Sequence, residues 1–472
     1  MKAGTAPQNE KFLKMTTVPV EKLVLNLAAP SIAIMLISAL YNMADTYFVA
    51  YLGTSEVAAV GVVFPLMVVI QAMGFFFGQG SGNYMARALG AQDNEGASRM
   101  AATGFFSGFI IMALIAISGL IFLEPLVGGL GATVTIKPHA MDYTFYILLA
   151  SPWMVSAMIL NQQLRFQGSA SIAMVGMLSG AILNIILDPI AIIVLGFGVK
   201  GAAFTTMLCQ MLSFFILYFY GCTRKGNIPI RFSHFSPSRK RYVEMIRGGI
   251  PALIRQGLMS VATIIINHFA GAHGDAAIAA ISIVNRLCMF ANSIVLGIGQ
   301  GFQPVCGFNY GAKLYSRVRK SFWFCTRLTT IGLFIICIIM AIFAPQIISF
   351  FRKDDLDVIF IGARGLRLNC ISLSFMGLVM MVNMLTQTMG KALEASIVAS
   401  ARQGVFLIPS LFILNPILGL LGVQLCTPTA DLLSLLITIP ILIRILKQIS
   451  IPDNPDGSVQ EVKEAIVDME MG

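Results

Sequence analysis

Twelve apolar stretches, each about as long as a bilayer is thick, leave this chain little choice of fold class. They fall at roughly 24–50, 57–84, 100–122, 143–164, 171–196, 200–220, 248–272, 277–303, 321–344, 360–388, 394–417 and 421–445. About 20 apolar residues carry a helix across the hydrocarbon region. Inside lipid every backbone N–H and C=O must find its partner within the chain, so runs of this length must be helices. Composition agrees: 57% of residues are hydrophobic and 11% charged, whereas a soluble domain carries about a quarter charged residues. The expected fold is an all-α polytopic membrane protein of twelve transmembrane helices.

The net charge of +10 raises nucleic acid as a partner, but its placement excludes that reading. Arg224 to Arg247 holds seven Lys/Arg, and Lys313, Arg317, Arg319 and Lys320 form a second cluster. Clusters between spans follow the positive-inside rule and mark cytoplasmic loops. The intervening loops hold only scattered basic residues such as Lys137, Lys200, Arg352 and Lys353. An even number of spans then puts both termini in the cytoplasm. Residues 1–21 are polar without an apolar core, so no cleavable signal peptide is expected. The eight cysteines are scattered singly, without metal spacing or an extracellular framework.

The chain repeats itself. An offset of 221 aligns Pro30 with Pro251, Gly53 with Gly274, and Ala58-Ala59 with Ala279-Ala280. It also aligns Gly78-Gln79-Gly80 with Gly299-Gln300-Gly301 and Gly90-Ala91 with Gly311-Ala312, and an offset of 227 places Asp188-Pro189 over Asn415-Pro416. Six spans per half give both halves the same orientation, hence a parallel repeat with a ligand cleft between two bundles. The expected division is 1–222 for the first bundle with a cation site and 223–247 for a basic linker. The second bundle takes 248–447, and 448–472 is a polar tail. The Gly-Gln-Gly segments neither follow a strand nor precede a P-loop lysine, so they read as sites of close helix approach rather than phosphate loops.

Asp188 is the residue with the sharpest chemistry. A carboxylate at bilayer depth costs about 2.5–3.5 kcal/mol on insertion scales, which makes it a functional candidate. Asn184 lies one turn earlier on the same face, and Pro189 has no N–H and frees the carbonyl of Ile185. Carboxylate, amide and carbonyl oxygens suit a proton or a small hard cation. Asp45 closes a second polar stripe, Ser38, Tyr41, Asn42 and Asp45, at helical spacing.

The chain resembles the multidrug and toxic compound extrusion (MATE) family from about Glu21 to Lys447. The residues that carry the likeness are Tyr41 to Val49 before Leu52-Gly53, Asn184 to Pro189, Gly198 to Ala203, and Pro304 to Lys313. The pattern is most similar to the bacterial DinF-like branch, whose cation site lies in the N-terminal half. That resemblance implies an antiporter exporting small amphipathic, often cationic organic compounds in exchange for H⁺ or Na⁺, with no other cofactor. It implies cation-site roles for Asp45, Asn184, Asp188 and Thr206, a neighbouring Tyr41, and a hinge at Pro30. Family branches with acids in the seventh and tenth helices are not matched, since the seventh span has Arg255 and Gln256.

Asp431, Arg255, Arg286, Met380 and Met384 are the candidate cleft residues. Asp431 has a rival reading as a partner of Arg402 or Arg286, and the methionines as ordinary packing. The alternative functions are a flippase for a lipid-linked precursor, an intramembrane aspartyl hydrolase and a channel. The hydrolase lacks its Gly-x-Gly-Asp type motif. The expected protein is a non-enzymatic, functional monomer of the bacterial inner membrane, in contact with lipid and not with nucleic acid.

Overall fold

The computed structural model describes residues 6–50, 54–221, 223–224, 226–351, 355–450 and 453; the side chains of 39–50, 54, 57 and 275 lie outside the described set. Among the described residues there are helices and no strands. The N-lobe holds α2 (Val20–Ala50), α3 (Thr54–Gly90), α4 (Asn94–Ile121), the short α5 (Leu123–Gly129), α6 (Lys137–Phe166), α7 (Ala170–Pro189) and α8 (Gly198–Ile216), after a separate α1 (Ala6–Thr17). The C-lobe holds α9 (Arg239–Gly271), α10 (Asp275–Gly311), α11 (Tyr315–Ile342), the short α12 (Ala344–Phe351), α13 (Leu356–Leu373), α14 (Met376–Thr388), α15 (Ala392–Ser400), α16 (Leu407–Leu418) and α17 (Leu420–Gln448).

Among the described residues, eleven helices or helix runs are long and apolar enough to span, and α13 with α14 makes a twelfth that bends by 50°. The tenth span, expected at 360–388, is therefore a bent pair of helices. Three short π segments, Ile190–Val194, Leu217–Gly221 and Ala401–Phe406, interrupt other spans. Hydropathy is blind to such breaks because they change backbone bonding and not composition. Helix α1 also escapes it, being short and polar on one side.

Each lobe has its own core. Met85, Met100, Phe105, Tyr143 and Phe214 fill the N-lobe, and Phe302, Phe322, Leu366, Met376 and Met381 the C-lobe. The first helix of each half crosses to the other lobe: α2 packs on α10 and α9 on α3. Near the face that carries α1 and the end of α17, α3 meets α10 and α9 across the lobes as closely as backbones allow. A Cβ on Gly90 would stand 2.1 Å from the Phe308 carbonyl oxygen, on Gly311 2.0 Å from that of Arg87, and on Gly80 2.3 Å from that of Met245. Only glycine fits there, the membrane form of small-residue packing. Farther along α3 and α9 from that face the packing is looser at these positions: Gly61 and Gly257 have nothing within 4 Å of a notional Cβ.

Polar side chains close the termini face. Gln387 Nε2 donates to Gln79 Oε1 at 2.8 Å and to the Gly248 carbonyl at 2.8 Å. Arg87 donates to the Thr388 carbonyl at 2.7 Å and pairs with Glu244 at 3.2 Å. Helix α1 straps both lobes. Lys11 Nζ donates to Ser169 Oγ (2.8 Å) and Asn227 Oδ1 (2.7 Å), while Asn309 Nδ2 donates to the Met15 carbonyl at 3.2 Å. Ser316 donates its N–H to Asp453 at 2.8 Å, which sets Asp453 at this same face.

Candidate cation site and its relatives

The N-lobe site is built where α7 ends and α8 begins. Pro189 closes α7, the π segment Ile190–Val194 follows, and Gly198 starts α8 at φ +57°. The turn brings α8 back beside α7, so that Thr205 and Thr206 face Asn184 and Asp188. Asn184 Nδ2 donates to Asp188 Oδ1 at 3.0 Å and to Thr206 Oγ1 at 3.4 Å. Thr205 Oγ1 donates to the same Asp188 Oδ1 at 2.5 Å, short as hydroxyl-to-carboxylate bonds are. Thr205 also lies 3.0 and 2.9 Å from the Gly201 and Ala202 carbonyls. Its one proton serves the shortest of these contacts.

Asp188 is 1% exposed and Asn184 2%. Both of Asp188's bonds converge on Oδ1. Asp188 Oδ2 and Asn184 Oδ1 are buried with no hydrogen-bond partner among the described residues. Two acceptor oxygens without donors in a buried pocket cost free energy unless something cationic or protic meets them. The donor set of carboxylate, amide and hydroxyl oxygens is hard, as a proton or Na⁺ requires. Among the described residues no group of three or more His, Cys, Asp or Glu could hold a transition metal.

The structure thus brings Asn184, Asp188 and Thr206 together and adds Thr205, which sequence reasoning passed over. The available signal was the Thr205-Thr206 pair, of which only one member was followed. Helix α2, which carries Tyr41 and Asp45, packs along α7; the side chains of Tyr41 and Asp45 lie outside the described residues. Pro30 is buried within α2, whose helix runs on through it.

The C-lobe candidates fall apart into separate places. Asp431 is 2% exposed and fully occupied: Arg402 Nε donates to Oδ1 at 2.7 Å and Ser372 Oγ to Oδ2 at 2.9 Å. Its partner is Arg402 and not the exposed Arg286. Arg255 is half-buried on α9, next to Gln256, which donates to Gln71 Oε1 at 3.0 Å across the lobes. Met380 is half-buried. Met384 is 1% exposed, its sulfur lying against Gly299 in the C-lobe core. The two lobes differ in one respect that bears on function. Among the described residues Asp431 is paired with a cation, Arg402, and Asp188 with none.

A family model described as MatE matches residues 30–190 and 251–413, one copy in each half of the repeat. The chain belongs to the MatE family. The protein is accordingly a multi-pass membrane transporter and not an enzyme. It is 30% identical over 407 residues to the multidrug export protein MepA of Staphylococcus haemolyticus, covering 85% of this chain and 88% of MepA. It is 28% identical over 422 residues to MepA of Staphylococcus aureus strain MSSA476, covering 88% and 92%. Among solved structures, an outward-facing multidrug resistance MATE transporter of the MOP superfamily superposes with TM-score 0.87 at 28% identity, over 94% of this chain and all of that one. A MOP superfamily transporter from Pyrococcus furiosus, described as having a binding pocket of reversed polarity, superposes equally well at 26% identity over 96% of this chain and all of that one.

Proposed function

We propose that this MATE protein is an alternating-access antiporter that exports small amphipathic, often cationic organic compounds in exchange for H⁺ or Na⁺. The observation that carries the coupling half is the pair of buried, unpartnered oxygens, Asp188 Oδ2 and Asn184 Oδ1. A buried carboxylate with one oxygen unmet changes its free energy by several kcal/mol when a proton or cation arrives. Ion occupancy can therefore be tied to lobe conformation. Asp45, on the helix that packs along α7, is the second carboxylate of the proposed site; mutual repulsion would raise the proton affinity of the pair, which then titrates as a unit. Tyr41, Thr205 and Thr206 complete the shell, and Pro30 is the proposed point where α2 bends as occupancy changes.

The export half draws on the likeness to the MepA proteins, which are multidrug export proteins. The basic loops support a cytoplasmic setting for the termini face in a bacterial inner membrane, and on that reading the closed face of this conformation is the cytoplasmic one. The chain divides at the basic linker near 223–247, and one chain contains both lobes and so suffices as a monomer. Each tenfold ion gradient contributes about 1.4 kcal/mol per ion, enough for tenfold drug accumulation per ion.

The test is uptake of a fluorescent organic cation into proteoliposomes under an imposed pH or Na⁺ gradient, with the intact protein and with Asp188→Asn. Gradient-driven uptake that Asp188→Asn leaves unchanged would remove Asp188 from the coupling mechanism. Which of the two gradients drives uptake identifies the ion.

A further inference from the structure

Arg165 is a guanidinium without a counter-ion at the seam between the lobes. It lies at the end of α6 and is 2% exposed. Its Nη1 donates to Gln300 Oε1 of the C-lobe and its Nη2 to Gln162 Oε1 of its own helix. Its Nε is buried with no partner among the described residues. Among the described residues no carboxylate acts on it. The neighbouring Arg87 of the same seam is different, since Glu244 neutralises it at 3.2 Å.

The internal repeat supplies a built-in comparison. Near the ends of α6 and α14 the halves align at an offset of 222, which relates Gly168 to Gly390, at φ +80° and +78°. The same offset relates the bond from Asn161 Nδ2 to the Ala173 carbonyl (3.1 Å) with that from Asn383 Nδ2 to the Ala395 carbonyl (2.8 Å). In this register the counterpart of Arg165 is Gln387. Gln387 donates across the lobes to Gln79, and Gln79 is the repeat mate of Gln300, the residue to which Arg165 donates. One cross-lobe bond is thus made twice, once by a neutral amide and once by a cation. An amide is sufficient for the seal, so the charge at 165 has another consequence.

That consequence follows from solvation. With the termini face closed, the guanidinium is out of water and unpaired, which is costly for an ion. Opening the face parts Arg165 on α6 from Gln300 on α10 and lets water reach it. The charge therefore penalises the closed state alone.

We infer that Arg165 is a positioning residue for the transport cycle: its buried, uncompensated charge biases the lobes toward opening at the termini face. The inference rests on alternating access as proposed above, but not on the identity of ion or cargo.

The experiment measures lobe separation at the termini face by spin-label distances between Glu95 and Lys320, each replaced by labelled cysteine in a background without native cysteines. Arg165→Gln, which copies the C-lobe residue, should raise the closed-to-open ratio about tenfold or more, while Arg165→Lys stays near the unsubstituted protein. Gln300→Glu, which provides a counter-ion without touching Arg165, should also favour closure, and it decides the matter should Arg165→Gln not fold. A residue that only seals predicts the opposite sign for Arg165→Gln, because losing the long donor fork would loosen the seam. An opened or unchanged distribution in Arg165→Gln, or an unchanged one in Gln300→Glu, overturns the inference. Failure of drug antiport with the lobe equilibrium shifted as stated would count against the proposed function instead.

Discussion

A single methyl group at the lobe crossing is expected to change the conformational balance of this transporter. Gly90 and Gly311 are repeat mates, and each faces the other lobe's backbone. The notional Cβ atoms stand 2.1 Å from the Phe308 oxygen and 2.0 Å from the Arg87 oxygen. Ordinary contact needs about 3.4 Å, so the helices must separate by roughly 1.3 Å at that point. A gap of even 0.5–1 Å forfeits about a quarter to a half of each dispersion well around it. Overpacking of this kind typically costs about 1–3 kcal/mol. Because the clash exists only when the face is closed, the whole of that penalty falls on one conformation. Gly90→Ala should then lower the closed-to-open ratio by about 5- to 150-fold, at 1.4 kcal/mol per factor of ten. The matched control is Gly61→Ala on the same helix, where nothing lies within 4 Å. The assay is the Glu95–Lys320 label distance, with thermal stability in detergent as a check on folding. If Gly90→Ala and Gly61→Ala give the same distance distribution, the closeness of the crossing does not control the gate.

Three further outcomes can be measured. Thr205→Val removes the 2.5 Å hydroxyl donor to Asp188 Oδ1 at nearly constant shape; it should shift the pH or Na⁺ midpoint of transport while drug binding at saturating ion is kept, and an unmoved midpoint excludes Thr205 from the site. Arg402→Met strands Asp431 as a buried charge and should destabilise the C-lobe by about 3–5 kcal/mol, whereas Arg402→Met with Asp431→Leu should recover much of the loss; calorimetry in detergent that finds the two variants equally damaged would refute the pairing argument. Burial holds the Lys11 ammonium down at about 7, with Arg224 and Lys14 adding repulsion. Since its value in the docked state is depressed below the ordinary 10.5, the charged form is the penalised one, and docking of α1 should strengthen as pH rises through 7 and level off above the free-lysine range. The hydrogen-exchange protection of α1, taken relative to the intrinsic rate at each pH, should rise across that window, and Lys11→Met should flatten the dependence.

Much of this molecule is legible from its residues because the bilayer leaves so few options. Twelve spans, two parallel halves and the small-residue character of Gly78-Gln79-Gly80 follow from length, apolarity and self-similarity, all of which are one-dimensional. The partnership of Asn184 with Asp188 is legible too, because residues four apart on a helix share a face whatever surrounds it. Thr205 was not, since its place depends on how α8 returns after the π segment and the left-handed Gly198. Only folding could decide the fates of the other buried charges, because a linear sequence holds no record of which helix meets which. Tertiary packing gave Asp431 a guanidinium from another helix, left one oxygen of Asp188 unmet, and stranded Arg165 between the lobes. An ionisable group's chemistry is set by its neighbours through solvation and pairing, and in this protein the deciding neighbours lie tens to hundreds of residues away.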